Sequence, residues 1–231
     1  MKELSVRLTP WETIAGWIYY AFQLFVLGLI VGAVNHLLGN PLSNAEMNIL
    51  CFIINFAAIA VIFRKYLWGN LKTAMAKPGR TIGYALCGFV LYYVCSIVVS
   101  IMILMLNPNY ANANDTNISG MLQEHTLLMT LCTVVLVPIA EETLYRGLMF
   151  GGIYPKNKVL AYVVSMSVFS LIHVVGYIGV YDPGMLVLSF FQYLPAGFFL
   201  AWTYVQTDSI VGSTLMHMII NLIAVCVMQA M

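Results

Sequence analysis

Thr81 to Leu106 reads TIGYALCGFVLYYVCSIVVSIMILML, 26 residues without one charge. As a helix it would be about 39 Å long, more than the roughly 30 Å hydrocarbon core of a bilayer. The composition around it agrees. The chain has 231 residues, 61% of them hydrophobic and 8% charged, where soluble domains carry about 25% charged residues. That balance excludes an ordinary soluble domain. A net charge of +1 with scattered basic residues also excludes a nucleic-acid partner, because no basic patch can form.

Working outward, seven apolar stretches are long enough to span: 12–38, 45–64, 81–106, 125–151, 158–181, 184–206 and 209–230. The fold expected is all-α, a polytopic membrane bundle of about seven transmembrane helices, with residues 1–231 as a single membrane domain. Met1 to Pro10 carries Lys2, Glu3 and Arg7, and the apolar run that follows is too long for a cleaved signal, so it reads as the first span. Asn107 to Asn117 is Asn-rich and reads as a solvated loop, and Tyr181 to Gly184 as a tight turn. Trp68 to Arg80 reads as a short interfacial helix with its lysines at lipid head groups. The five cysteines (Cys51, Cys87, Cys95, Cys132, Cys226) are odd in number, lie in apolar runs and read as free thiols.

With seven spans, all ten Lys and Arg fall on the side of the N-terminus or, for Arg146, inside the fourth span near that side. The positive-inside rule then places the N-terminus in the cytoplasm.

The fourth span holds Leu136-Val-Pro-Ile-Ala-Glu-Glu-Thr-Leu-Tyr-Arg146-Gly147. Each charge in hydrocarbon costs roughly 2.5–3.5 kcal/mol even on a lenient insertion scale, so such a cluster reads first as a functional site. Glu142 and Arg146 are four apart and share a helix face, which suits an ion pair. Glu141 points about 100° away and has no partner on its own helix. Two further polar groups interrupt late spans: Phe169-Ser-Leu-Ile-His173, and His217-Met-Ile-Ile-Asn221, whose His and Asn project from one face. Each of these has a structural reading as interhelical hydrogen bonding. His36 and His125 fall near helix ends and read as background. Counted from the basic end, Glu141, His217 and Asn221 come out at about 15, 12 and 18 Å, while His173 comes out deeper, at about 24 Å. No His-Glu-x-x-His and no Gly-x-Ser-x-Gly is present. A carboxylate, two imidazoles and an amide suit water activation with oxyanion stabilisation, or alternatively a divalent metal held by Glu141, His173 and His217.

Glu-Glu-x-x-x-Arg, Phe-x-x-x-His and His-x-x-x-Asn, in that order on successive late helices, resemble the motifs of the CPBP family, the CAAX proteases and bacteriocin-processing (Abi) intramembrane proteases. Pro138, Gly147, Gly197 and Thr207 fit the flanking pattern. The resemblance covers residues 125–225 or so, leaving 1–124 as variable N-terminal helices and 125–231 as the catalytic helices. It implies an intramembrane endopeptidase acting on a membrane-associated peptide or lipidated protein, in bacteria a leader peptide, pheromone precursor or bacteriocin. Carried over by position, Glu141 is the general base, His173 helps it hold the attacking water, His217 and Asn221 form the oxyanion hole, and Glu142 and Arg146 organise the helix. A glutamate mechanism without metal is the reading preferred, with the cavity open to the cytoplasm. The alternative is a non-catalytic immunity or scaffold protein that binds a bacteriocin or a partner protein. A proton-coupled transporter fits less well, because no internal symmetry is visible.

Overall fold

The computed structural model describes residues 3–230, so Lys2 lies outside the described residues. Among them it has nine helices and no strand: α1 Pro10–Leu37, α2 Asn44–Ile62, α3 Arg64–Ala76, α4 Pro78–Leu106, α5 Ala113–Glu124, α6 Thr126–Ile153, α7 Lys158–Val175, α8 Pro183–Thr207 and α9 Ile210–Ala230. All except α3 and α5 are long and apolar enough to cross a membrane. The seven expected spans are therefore present. The fifth is shorter than expected: α7 stops at Val175, and a turn with Gly179 at φ +84° follows. That left-handed conformation suits glycine. Asp182 then opens α8 by accepting the Met185 amide at 3.1 Å.

Because the spans alternate, the bundle has two distinct ends. The basic end gathers the N-terminal segment, α3, the α6–α7 connection and the α8–α9 connection, and with them every described Lys and Arg except the buried Arg146. The opposite end carries α5 and the α7–α8 turn.

At the basic end α3 is tied into the bundle as well as lying across it. Tyr66 and Asn70 are buried. The Tyr66 hydroxyl bonds that of Tyr204 at 2.9 Å, and the Asn70 side chain caps α9 by accepting the Ile210 amide at 2.9 Å. Glu12, also buried, accepts the Tyr66 amide at 2.8 Å and caps its own helix with Thr9. The five cysteines are free.

The largest departure from the sequence reading is at residues 107–117, where the expected solvated loop is only part of what forms: Pro108, Asn109 and Ala111 are exposed, but the chain turns helical at Ala113. Asn112 is buried and caps α5, its side-chain oxygen accepting the amides of Asn114 and Asp115 at 2.9 and 3.1 Å. Met121 and Leu122 of α5 pack with Ala45, Ile49, Met129 and Val225. The Asn-rich composition is answered by polar side chains of α8. Tyr110 donates to Gln192 at 2.6 Å and Asn112 donates to the same oxygen at 2.7 Å. A polar run looks the same in sequence whether it faces water or the wall of a polar cavity.

Two glycines set the helix spacing around α8. A Cβ on Gly197 would lie 2.7 Å from the Met166 Cα of α7, and one on Gly88 would lie 2.1 Å from the Thr203 hydroxyl. We expect Gly197→Ala to destabilise the protein by about 1–3 kcal/mol, since the obstacle is backbone and α7 must shift. Gly28→Ala, which meets nothing within 4 Å, should leave stability unchanged or slightly improved. Thermal unfolding of both variants in the same detergent checks this.

Candidate active site

The site is organised by α6, whose helical winding is irregular where the chemistry sits. Cys132–Leu136 winds as a π-turn, with the Val137 amide bonded back to the Cys132 carbonyl. In that register the Thr133 carbonyl should receive the amide of residue 138. Residue 138 is proline and has no N–H. The orphaned carbonyl is taken instead by the Asn221 side-chain amide of α9 at 2.8 Å. Pro138, noted in sequence only as flanking text, thus creates the acceptor that anchors Asn221. One of the two N–H bonds of that amide is committed to it.

A second π-stretch, Glu142–Phe150, is buried throughout. Within it Arg146 donates from Nη1 to Glu142 Oε1 at 2.8 Å, and both side chains are 0% exposed. Arg146 also donates to the Gly197 carbonyl at 3.3 Å and lies over the Phe169 ring at 4.5 Å. The expected ion pair is present, but Glu142 does more than pair with it. The same Oε1 is 3.0 Å from His217 Nδ1 on α9. A carboxylate held ionised by Arg146 accepts here, so His217 carries its proton on Nδ1 and turns Nε2 the other way. Nε2 lies 3.8 Å from Glu141 Oε2. That is too long for a direct hydrogen bond, and it is a separation one water oxygen can span by contacting both atoms at ordinary distances.

Glu141 is 22% exposed, and its Oε2 is buried with no hydrogen-bond donor from the protein. His173 on α7 stands across the same cavity. Its Nδ1 is 2.7 Å from the Phe169 carbonyl. A carbonyl only accepts, so Nδ1 holds the proton and Nε2 offers a lone pair. The ring is fixed between Phe169 at 4.7 Å and Tyr193 at 4.3 Å. The greater depth of His173 does not separate it from the others, because the cavity itself extends along the bundle.

That cavity holds about 260 Å³ and is lined by all four expected catalytic residues, Glu141, His173, His217 and Asn221. Its other walls were not anticipated: Asn112, Asn114 and Asp115 from α5 and its cap, and Gln192 and Tyr193 from α8. The Tyr193 hydroxyl donates to Asp115 at 3.1 Å. Burial pushes the Asp115 carboxyl above its usual range, against the lowering effect of hydrogen bonds from Tyr193 and Asn114. The signal available in sequence was the polar Gln192-Tyr193 pair inside the sixth apolar run. A second, smaller chamber of about 210 Å³ reaches Glu141 from the other side, between α1, α2 and α6, and includes Gln23 and Asn55. The N-terminal helices, expected to be variable background, therefore form part of the site.

Among the described residues no group of three or more His, Cys, Asp or Glu side chains is placed to hold a metal ion. The direction of the cavity also bears on orientation. From Glu141 it runs toward the end that carries α5, which is the end without Lys or Arg. Its lining there includes Asn112, Asn114 and Asp115.

Comparison with known proteins agrees with the motif reading. Residues 123–223 match the family described as type II CAAX prenyl endopeptidase Rce1-like. The chain is 27% identical over 156 residues to the UPF0177 protein YxdF of Lactococcus lactis subsp. lactis (strain IL1403), an alignment covering 67% of this chain and 81% of that one. It is 25% identical over 177 residues to the "Putative membrane peptidase YdiL" of Bacillus subtilis (strain 168), covering 75% of this chain and 68% of that one. No solved structure matches. Residues 123–223, the stretch similar to the Rce1-like, type II CAAX prenyl endopeptidase family, hold all the expected catalytic side chains, and this likeness, with that to a "Putative membrane peptidase", points to a membrane protease at the level of the family.

Proposed function

We propose that this protein is an intramembrane endopeptidase in which Glu141 activates a water against a peptide bond of a membrane-associated substrate. The observation that carries the proposal is the Glu141 Oε2 atom, which is buried without a protein donor and lies 3.8 Å from His217 Nε2. His173 Nε2 presents its lone pair to the same cavity. An ionised carboxylate placed this way is costly unless something occupies the space before it. A water there can give one proton to Glu141 and direct the other at His173.

The hydrolysis balances on these groups. The water oxygen attacks the scissile carbonyl carbon as its proton passes to Glu141, and the C=O π pair moves to oxygen. When the tetrahedral species collapses, the C=O re-forms and the C–N bond breaks, and Glu141 returns the proton to the departing amine. The oxyanion would be met by the free amide N–H of Asn221 and by His217. His217 can donate from Nε2 only as an imidazolium, its second proton taken up from solvent before the attack and returned after it, while Glu142 accepts from Nδ1. In this reading Glu142 and Arg146 position His217 and do not touch the substrate.

The substrates that fit are bacterial peptides at the cell membrane, such as leader peptides, pheromone precursors or bacteriocins, or a lipidated protein. With the basic end in the cytoplasm by the positive-inside rule, the cavity mouth faces the non-cytoplasmic side. No metal takes part in this mechanism.

Glu141→Gln should reduce cleavage of a membrane-anchored reporter by about 10²–10⁴-fold while thermal unfolding in detergent stays unchanged. Full activity in that variant would overturn Glu141 as the base, and absence of cleavage by the unaltered protein as well would leave the non-catalytic immunity or scaffold role standing in its place. Arg146→Ala should lose both activity and about 3–5 kcal/mol of stability, because it strands a fully buried carboxylate, and the same unfolding assay reads it. Activity should survive exhaustive chelation, and loss restored by added Zn²⁺ would contradict the metal-free mechanism.

A further inference from the structure

Asp115 is the one carboxylate in the catalytic cavity that the hydrolysis does not use. It lies outside the family match at 123–223 and on a helix that the sequence did not announce. One oxygen accepts from Tyr193, the residue whose ring stacks on His173. No Lys or Arg side chain is within reach. Every described one lies at the other end of the bundle except Arg146, which is enclosed by Glu142, Gly197 and Phe169. Asp115 also stands at a junction. With Tyr92, Ser96, Ile220, Ala224 and Met228 it lines both the catalytic cavity and a groove of about 460 Å³ between α4 and α9. The walls of that groove are otherwise mostly apolar, including Phe89, Ile97, Ile101, Leu104 and Val227. A chain moving from the groove into the cavity passes this carboxylate. The end of the bundle where it does so holds Glu46, Glu124 and Asp182 as well and no Lys or Arg, a field that draws cations toward the mouth.

We infer that Asp115 is a specificity-determining residue that pairs with a cationic group of the substrate, a Lys or Arg side chain or an N-terminal ammonium, as an otherwise apolar peptide enters between α4 and α9. The inference rests on the protease reading for its substrate class, while the pairing itself is a binding property. A half-buried carboxylate without a cation keeps acceptor capacity toward the cavity, and an incoming ammonium can meet it with a charge-assisted hydrogen bond. Neutral peptides of the same shape gain nothing there.

The test measures binding to the full chain in phosphatidylcholine vesicles, using Glu141→Gln protein so that nothing is cut. Three short Leu/Ala peptides carry a C-terminal fluorophore. One is N-acetylated with a central Lys, one is N-acetylated with Gln at that place, and one has the Gln with a free N-terminus. The Lys peptide or the free-amine peptide should bind about tenfold more tightly than the acetylated Gln peptide, and whichever of them does so identifies the source of the cation. Adding Asp115→Asn should abolish the preference, and adding Asp115→Lys should make the cationic peptide bind no better than the acetylated Gln peptide. Equal binding of all three peptides, including no binding of any, overturns the inference, and so does a preference that survives Asp115→Asn. Cleavage by the Glu141 protein is followed separately. A charge preference without cleavage removes the protease reading and keeps the pairing, while cleavage without a preference removes the pairing alone.

Discussion

A guanidinium and a carboxylate with no exposure to solvent, in the middle of a helix meant for hydrocarbon, are the constraint on which the rest of the site depends. Neither charge is stable there alone, so each requires the other, and their remaining hydrogen-bonding capacity draws in neighbouring helices. Arg146 reaches the Gly197 carbonyl and the Phe169 ring, bringing α7 and α8 against α6. Glu142 accepts a hydrogen bond from His217 Nδ1 and brings in α9. The contact with Gly197 is available because α7 and α8 approach too closely there for any side chain. Each glutamate keeps one oxygen without a protein donor, but only Glu141, 22% exposed, lines the cavity.

Around that centre the polar groups are distributed by backbone irregularity as much as by side-chain choice. Pro138 removes the amide that the π-turn at 132–136 would need, and the carbonyl it orphans holds Asn221. π-turns and prolines are costly in a plain spanning helix and recur where function requires them. The wall at the end opposite the basic one is held by a different device. α5 and its cap are fastened to α8 and the α7–α8 turn largely through side-chain hydrogen bonds among Tyr110, Asn112, Asn114, Tyr177, Gln192 and Tyr193. A wall built from exchangeable polar contacts tolerates a polar interior and can be re-formed around a peptide.

Much of this was legible in sequence, for identifiable reasons. Seven spans follow from length and apolarity, because hydrocarbon leaves a helix as the only local way to satisfy the backbone. The Glu142–Arg146 pair follows from helical spacing on one chain segment. The four cavity residues were picked out because ionisable and amide groups are expensive at that depth. What escaped notice was of the opposite kind. Asp115 and Asn112 sit in a run so polar that one more acid carries no signal, and Gln23 and Asn55 belong to helices without a motif. Span counting orders residues by depth without showing to which end their cavity leads.

The sequence by itself determined an all-helical membrane bundle, its likeness to the CAAX-type proteases and the identity of the residues too costly to bury without purpose. These are one-dimensional properties, set by composition and by periodicity along single helices. Only the tertiary structure decided what each residue does for the others: that Glu142 serves His217 as well as Arg146, that Asn221 is anchored by a proline's missing hydrogen bond, and that α5 forms a cavity wall. Such roles depend on which atoms of different helices come within about 3 Å of one another, and hydrogen bonds at that range are invisible to patterns read along one strand of text.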